Sequence, residues 1–260
     1  MTDVLQEIIA TKRNQLAQTK RTIRSMKRAL AESKSGIIAE FKRKSPSKGW
    51  IHRDALPEDV VPKYCQGGAS ACSILTDEPY FGGDAEYIRK VRQLVPELPI
   101  LRKEFIIDSY QVYEAKAIGA DAILLIAAAL TPYDYGKLLT QAHNIGLEVL
   151  LEIHDAQELS YLDYGTPDML GVNNRSLGTF HTDVQHSFDI ARQMQAAVQN
   201  LSPEEMPLLV SESGISNPEV VKQLRKAGFR GFLIGECFMK EPDPGLALAD
   251  FIARLNETEN

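Results

Sequence analysis

Cysteine is scarce in this 260-residue chain. Cys65, Cys72 and Cys237 are an odd number without C-x-x-C spacing, which excludes a disulfide framework and a zinc site. Long apolar runs are missing too. The longest candidate, 122–130, is about half the ~20 residues a membrane helix needs, so no membrane partner is expected. The first ten residues mix Asp3, Gln6 and Glu7 with apolar side chains and lack a basic leader, so they do not read as a secretory signal. A cytoplasmic location and a reducing compartment are the expectation. No G-x-G-x-x-G follows the first apolar run and no G-x-S-x-G elbow occurs, which removes the common dinucleotide and acyl-transfer signatures. His52, His143, His154, His181 and His186 show no ligand spacing; no metal is expected, and each reads as a surface histidine.

Charge is unevenly spread. The net charge is −6, yet residues 1–34 hold eight Lys/Arg against three Asp/Glu. A basic arm on an acidic body can signal nucleic acid. This arm has no aromatic side chain for base stacking, and the body would repel a phosphate backbone, so no nucleic-acid partner is expected.

Apolar residues at three- and four-residue intervals (Val4, Leu5, Ile8, Ile9, Leu16, Ile23, Met26, Leu30) predict a helical extension over 1–34. It either caps the rest of the chain, lies near its working face, or offers a docking surface to another enzyme. From residue 35 to 260 the pattern becomes eight short apolar or β-branched runs, 37–41, 71–75, 99–101, 122–126, 148–151, 169–172, 208–210 and 231–234. Segments of helical period separate or follow them, at 57–66, 84–94, 109–118, 132–145, 156–164, 184–198, 218–227 and 246–255. Pro62 argues for a later start of the first of these. Gly119, Gly146, Gly165 and Gly228 each follow a helical stretch, as C-terminal caps do. Eight strand–helix units of this size predict an α/β fold, a single (β/α)8 TIM barrel behind the N-terminal extension.

Chemistry in such a barrel sits at the C-terminal ends of the strands. Those ends are unusually polar here: Glu40 and Lys42 after the first, Lys103 after the third, Glu152 after the fifth, Asn173 and Arg175 after the sixth, Glu212 and Ser213 after the seventh. Alternation puts Glu40 and Lys42 on one side and Phe41 on the other. Lysines and carboxylates converging on one mouth would perturb one another and supply proton donors and acceptors. Gly214, Gly235 and Glu236 lie where barrels often hold phosphate, although glycines there can be plain turn residues. The basic loop 42–49 reads either as a solvated charge run or as a loop closing over an anion.

The stretches Ile38-Ala-Glu-Phe-Lys-Arg-Lys-Ser-Pro-Ser-Lys48, Ser73-Ile-Leu-Thr-Asp-Glu-Pro-Tyr-Phe81, Leu101-Arg-Lys-Glu-Phe-Ile-Ile-Asp108, Gly171-Val-Asn-Asn-Arg-Ser-Leu177 and Ser211-Glu-Ser-Gly-Ile215 together resemble the indole-3-glycerol phosphate synthase family. The resemblance implies conversion of 1-(o-carboxyphenylamino)-1-deoxyribulose 5-phosphate to indole-3-glycerol phosphate, with loss of CO2 and water and without cofactor or metal. It implies Lys103 as the acid of ring closure and Glu152 as the base of dehydration. Lys42 is implied as second acid and carboxylate contact, with the two lysines free to share roles. Glu40 and Asn173 would orient groups, Glu212 and Ser213 complete the mouth, and Arg175 contact the carboxylate or anchor a loop. Phosphate would be held by Lys44, Ser45 and the backbone of Gly214, Gly235 and Glu236, with the Glu236 carboxylate turned away. Phe81, Pro46 and Leu177 would wall the aromatic ring. The substrate would be a small anion carrying carboxylate and phosphate, and the enzyme a monomer or at most a weak homodimer. The chain ends after the eighth helix, so the isomerase domain fused in some members is not expected. Another phosphate-binding barrel, such as phosphoribosylanthranilate isomerase, a Schiff-base aldolase or a non-catalytic sugar-phosphate sensor, is the competing reading. The isomerase's Cys/Asp pair is unsupported, since Cys72 lies inside a strand. An aldolase lysine needs a depressed pKa, which Glu40 and Glu152 would oppose. A sensor would have no need of Lys103 and Glu152 together.

Overall fold

The computed structural model describes residues 24–175, 182–197, 202 and 205–257, with 9 and 11. The extension's other apolar positions, together with Leu177 and His181, lie outside the described residues.

Among the described residues, eight parallel strands close into a barrel: β1 (Ile37–Phe41), β2 (Ala71–Leu75), β3 (Ile100–Lys103), β4 (Ala122–Ile126), β5 (Glu148–Ile153), β6 (Met169–Asn173), β7 (Leu208–Glu212) and β8 (Gly231–Ile234). Ile37 sits opposite Phe232 and Ala39 opposite Cys72, so β1 joins β8 to β2 and leaves no sheet edge. Period-two alternation divides the strand residues into two cores. One set, with Ile37, Ala39, Ile74, Ile100, Val149, Leu151 and Phe232, packs against the surrounding helices. The other, with Ile38, Ala71, Leu101, Leu124, Leu150, Met169, Val210 and Leu233, fills the barrel interior. Continued upward, the interior parity reaches Glu40, Lys103, Glu152, Asn173 and Glu212.

The lower end is sealed by α1 (Met26–Glu32), whose Met26 and Leu30 are fully buried in the interior core. Its N-terminus is fastened by Glu148 at the start of β5: the carboxylate accepts Ser25 Oγ at 2.5 Å and the backbone N–H groups of Met26 and Lys27 at 2.6 and 3.0 Å. A carboxylate at a helix N-terminus satisfies otherwise unpaired donors and complements the dipole. Beside it, Asp121 accepts Arg24 Nε at 2.9 Å, Arg92 Nη2 at 2.5 Å and the Ile100 N–H at 2.9 Å. This part of the extension therefore caps the barrel.

Around the strands lie α2 (Pro57–Gln66), α3 (Glu86–Leu94), α4 (Ser109–Ile118), α5 (Pro132–Asn144), α6 (Gln185–Ala197), α7 (Pro218–Lys226) and α8 (Pro244–Asn256). α2 starts at Pro57 with Pro62 inside it, not later. The missing N–H costs one bond to the Glu58 carbonyl, while burial of Val60, Val61 and Tyr64 holds the helix down. Residues Ala156–Tyr164 form a 3-10 helix opened by an Asp155–Glu158 capping box, where an ordinary helix is expected from the pattern. The four cap glycines all have positive φ. β3, β5, β6 and β7 run one or two residues beyond the apolar runs, because ladder hydrogen bonds do not depend on side-chain polarity.

Candidate active site

Lys103, the last residue of β3, stands at the centre of the upper mouth. Its Nζ donates to Glu152 Oε2 at 2.9 Å and to Glu212 Oε2 at 2.5 Å, joining β3, β5 and β7. Asn173 Nδ2 donates to Glu152 Oε1 at 3.0 Å, and Lys42 Nζ, just past β1, donates to Glu40 Oε1 at 2.5 Å. Phe41, between them, turns outward to meet Tyr87 edge-on at 5.8 Å.

The cluster is buried, and burial sets its electrostatics. Removal from water by itself would lower the Lys103 pKa, but Glu152, Glu212 and Glu40 reverse this and hold it well above the ordinary lysine value. Burial would raise Glu152; Lys103, then His154 and the Asn173 hydrogen bond, hold it below the usual carboxylate range. Burial raises Glu212; Lys103 opposes this and the Glu152 charge reinforces it, leaving it above that range. One ammonium between two carboxylates thus leaves their pKa values pushed apart, Glu152 down and Glu212 up.

Glu212 reaches this position across Gly171 on β6. A Cβ there would lie 2.2 Å from Glu212 Oε1 and 3.2 Å from Leu150 Cδ1, so the carboxylate occupies the place of a side chain. Gly171→Ala is expected to displace Glu212 and lower kcat roughly 100-fold with little change in KM, as misplacement of about 1 Å does. Steady-state kinetics check this; wild-type kcat would mean that the carboxylate has another seat.

Ser213 follows β7 with φ of 69°, the left-handed region that a non-glycine residue seldom adopts. Its carbonyl accepts Asn174 Nδ2 at 3.1 Å. Asn174 is buried and also donates to Ser211 Oγ at 3.0 Å, while its Oδ1 accepts Ser187 Oγ at 2.8 Å. This network fixes the β6 and β7 ends, a role for Asn174 that strand-end reading missed.

Loop 42–49 is neither a free charge run nor simply a cover. Lys44–Ser45 pairs with Gly49–Trp50 in a hairpin, and Lys48 Nζ donates to Glu236 Oε1 at 2.6 Å, just past the neighbouring strand β8. Ser45 Oγ is buried without a protein hydrogen-bond partner. Lys44 does not join it: its Nζ donates to the Pro79 carbonyl at 2.8 Å, because the hairpin turns it toward the β2 loop. Lys48 is the lysine at the Glu236 corner, where Lys42 and Arg175 also act on the Glu236 charge. The Glu236 side chain is neutralised by Lys48 rather than merely turned aside. Gly235 precedes the short helix Glu236–Met239 and lies against Glu40; a Cβ there would meet Glu40 Oε1 at 2.4 Å.

Arg175 donates its backbone N–H to Asn173 Oδ1 at 3.0 Å, and its buried Nε has no protein hydrogen-bond partner. Phe81 packs on Phe105 with ring centroids 6.1 Å apart; Pro46 is exposed at the hairpin tip, and Gly214 is exposed after β7. Phe105, missed in the sequence, is thus the ring that Phe81 meets, and it is exposed. His154 corrects the reading of the histidines as surface groups: its side chain is only 10% exposed, and Nε2 lies 3.4 Å from Glu152 Oε1. Its signal was its place two residues beyond Glu152, on the interior parity.

A closed barrel with lysines and carboxylates gathered at its mouth, beside a corner lined by Lys48, Lys42 and Arg175, has the layout of a (β/α)8 enzyme. Solved structures share the fold at low identity. Thiamine phosphate pyrophosphorylase from Pyrococcus furiosus is 16% identical with a TM-score of 0.63, covering 90% of this chain and 98% of that one. KGPDC from Streptococcus mutans is 12% identical with a TM-score of 0.62, covering 86% and 99%. A family model described as indole-3-glycerol phosphate synthase matches residues 3–251. Proteins of that description from Bacteroides thetaiotaomicron and Laribacter hongkongensis are 57% and 40% identical, covering 98% and 97% of this chain and all of theirs. The chain belongs to the indole-3-glycerol phosphate synthase family. It is thus a carboxy-lyase of tryptophan biosynthesis acting on a small molecule. Among the described residues no helix is long and apolar enough to cross a membrane.

Proposed function

We propose that the mouth residues divide the ring closure, decarboxylation and dehydration of 1-(o-carboxyphenylamino)-1-deoxyribulose 5-phosphate as follows. Lys103 protonates the ketone oxygen while the aromatic carbon attacks, and loss of CO2 restores aromaticity. Glu152 takes the proton and Lys42 assists departure of the hydroxyl; Glu40 and Asn173 hold Lys42 and Glu152 in place. Glu212 and Ser213 complete the mouth. The observation that carries the reading is Lys103 Nζ bridging Glu152 and Glu212, whose charges favour the ammonium form at the mouth.

The phosphate belongs at the corner of Ser45, Lys48, Gly214, Gly235 and Glu236, with Lys44 displaced from that role. The unpaired Ser45 hydroxyl supports this placement. Arg175 meets the carboxylate or anchors its loop, and Phe81, Phe105, Pro46 and Leu177 flank the ring. The same reading has a cytoplasmic enzyme, a monomer or weak homodimer, with no nucleic-acid partner, no organic cofactor and no metal.

Mixing the purified protein with the substrate in buffer containing EDTA should produce a rise of indole fluorescence. Thermal protection by the substrate without that rise would leave a phosphate-binding barrel of different chemistry.

A further inference from the structure

The corner proposed for the phosphate already holds an anion of the protein's own, the Glu236 carboxylate. Three cations bear on it: Lys48 Nζ donates to its Oε1 at 2.6 Å, and Lys42 and Arg175 act on its charge. These cations are not equally held. The Lys42–Glu40 pair is buried, with side chains 16% and 4% exposed, and parting such a pair strands a charge away from water. Lys48 and Glu236 are 58% and 33% exposed, so their pair is screened by water and weakly held. Lys48 is therefore the cation at this corner that can change partners.

The exchange needs no movement of the backbone. The Lys48 N–H donates to the Ser45 carbonyl at 3.3 Å and closes the hairpin turn. The stem is seated on the loop after β2: Lys44 Nζ holds the Pro79 carbonyl at 2.8 Å, and the Trp50 ring lies so close over Gly82 that a Cβ there would meet its Cζ3 at 2.9 Å. With the hairpin fixed, the flexible four-carbon stem of Lys48 is the part that turns. The same turn carries the Ser45 hydroxyl, which has no protein hydrogen-bond partner. A phosphate monoester brings close to two negative charges and three strong acceptor oxygens, against the single charge of a carboxylate, and is the stronger partner for an ammonium.

We infer that Glu236 is a resident anion that holds Lys48 until a phosphate group displaces it, and that its carboxylate thereby weakens the hold of the corner on substrate and product alike. Binding exchanges one partner of Lys48 for another, and when the phosphate leaves, Lys48 returns to Glu236 instead of standing unpaired. The inference rests on the placement of phosphate at this corner proposed above.

The test measures KM for the substrate and the competitive inhibition constant of inorganic phosphate, at constant ionic strength. In Glu236→Gln, which keeps the shape and removes the charge, both should fall roughly three- to tenfold, as loss of one exposed pair and of one like charge near the ligand allows. In Lys48→Met both should rise. The double variant separates competition for Lys48 from plain repulsion: without Lys48, the Glu236→Gln change should gain clearly less than it does in the wild-type background. Two results overturn the inference while leaving the phosphate where it is placed. One is an equal gain in both backgrounds, which would reduce Glu236 to a repelling charge; the other is an unchanged or raised KM in Glu236→Gln, which would make it a support that aims Lys48 at the ligand. Phosphate inhibition untouched by Lys48→Met would overturn the placement itself.

Discussion

Lys103→Met should lose roughly 1,000-fold or more in kcat while KM changes a few-fold at most. The ammonium acts on charge that develops at the ketone oxygen, so its loss is felt in the transition state, and general acids of this kind contribute about 10²–10⁴-fold. Methionine keeps the volume, so no cavity confuses the result. Stability should fall as well. The substitution leaves Glu152 and Glu212 buried together without their cation, and breaking a buried pair from one side costs about 3–5 kcal/mol. The pH dependence has a defined sign. Lys103 lowers the pKa of both carboxylates, so its removal raises both in the folded state. A carboxyl with a raised folded-state pKa adds stability below its unfolded value and loses it as pH rises through the folded one. Urea unfolding of the variant should therefore weaken more steeply than wild type between pH 5 and 8. A wild-type slope would mean that the two carboxylates do not share this charge, and near-normal kcat would remove Lys103 from the chemistry.

The second large effect belongs to the opposite end. Leu30→Ala deletes a fully buried side chain from the plug that closes the barrel, at a cost of about 2–5 kcal/mol. In a chain of this size that corresponds to a Tm lower by roughly 5–15 °C. At 25 °C the remaining folded enzyme should keep wild-type kcat and KM, since no contact of Leu30 reaches Lys103 or Glu152. Calorimetry and steady-state rates on one sample decide it. An unchanged Tm would show that the seal contributes little to stability.

How much of this could be read from the sequence depended on whether the signal was local. Strand positions were legible because each buried strand is a short apolar run bounded by turn residues, and β1, β2, β4 and β8 coincide with those runs. The strand ends were not. At Lys103, Ile153, Asn173 and Glu212 the backbone ladder continues where the apolar pattern stops. The convergence of Glu40, Lys42, Lys103, Glu152, Asn173 and Glu212 followed from barrel geometry and alternation alone. What escaped depended on contacts remote in sequence. Lys44 and Lys48 have the same charge in the same loop, and only hairpin pairing sends one to Pro79 and the other to Glu236. Arg102 looks like another mouth cation, yet its parity turns it outward to Glu114 Oε2 at 2.6 Å beneath α4. His154 had no spacing signature, being defined by its distance to Glu152 rather than by a motif. The 3-10 geometry of 156–164 carries the same apolar spacing as an α-helix over so short a segment.

Glu148 and Glu152 lie on one strand, four residues apart, the first fastening the plug and the second facing the chemistry. Between them stand Val149, Leu150 and Leu151, all fully buried. Such an arrangement divides the molecule's evolutionary freedom. Selection for heat tolerance can rework the lower rim around Ser25, Leu30 and Glu148 while the upper rim is held constant, and selection for a new substrate can do the reverse. A library confined to the lower rim should yield variants whose melting temperatures spread widely while their turnover numbers stay together.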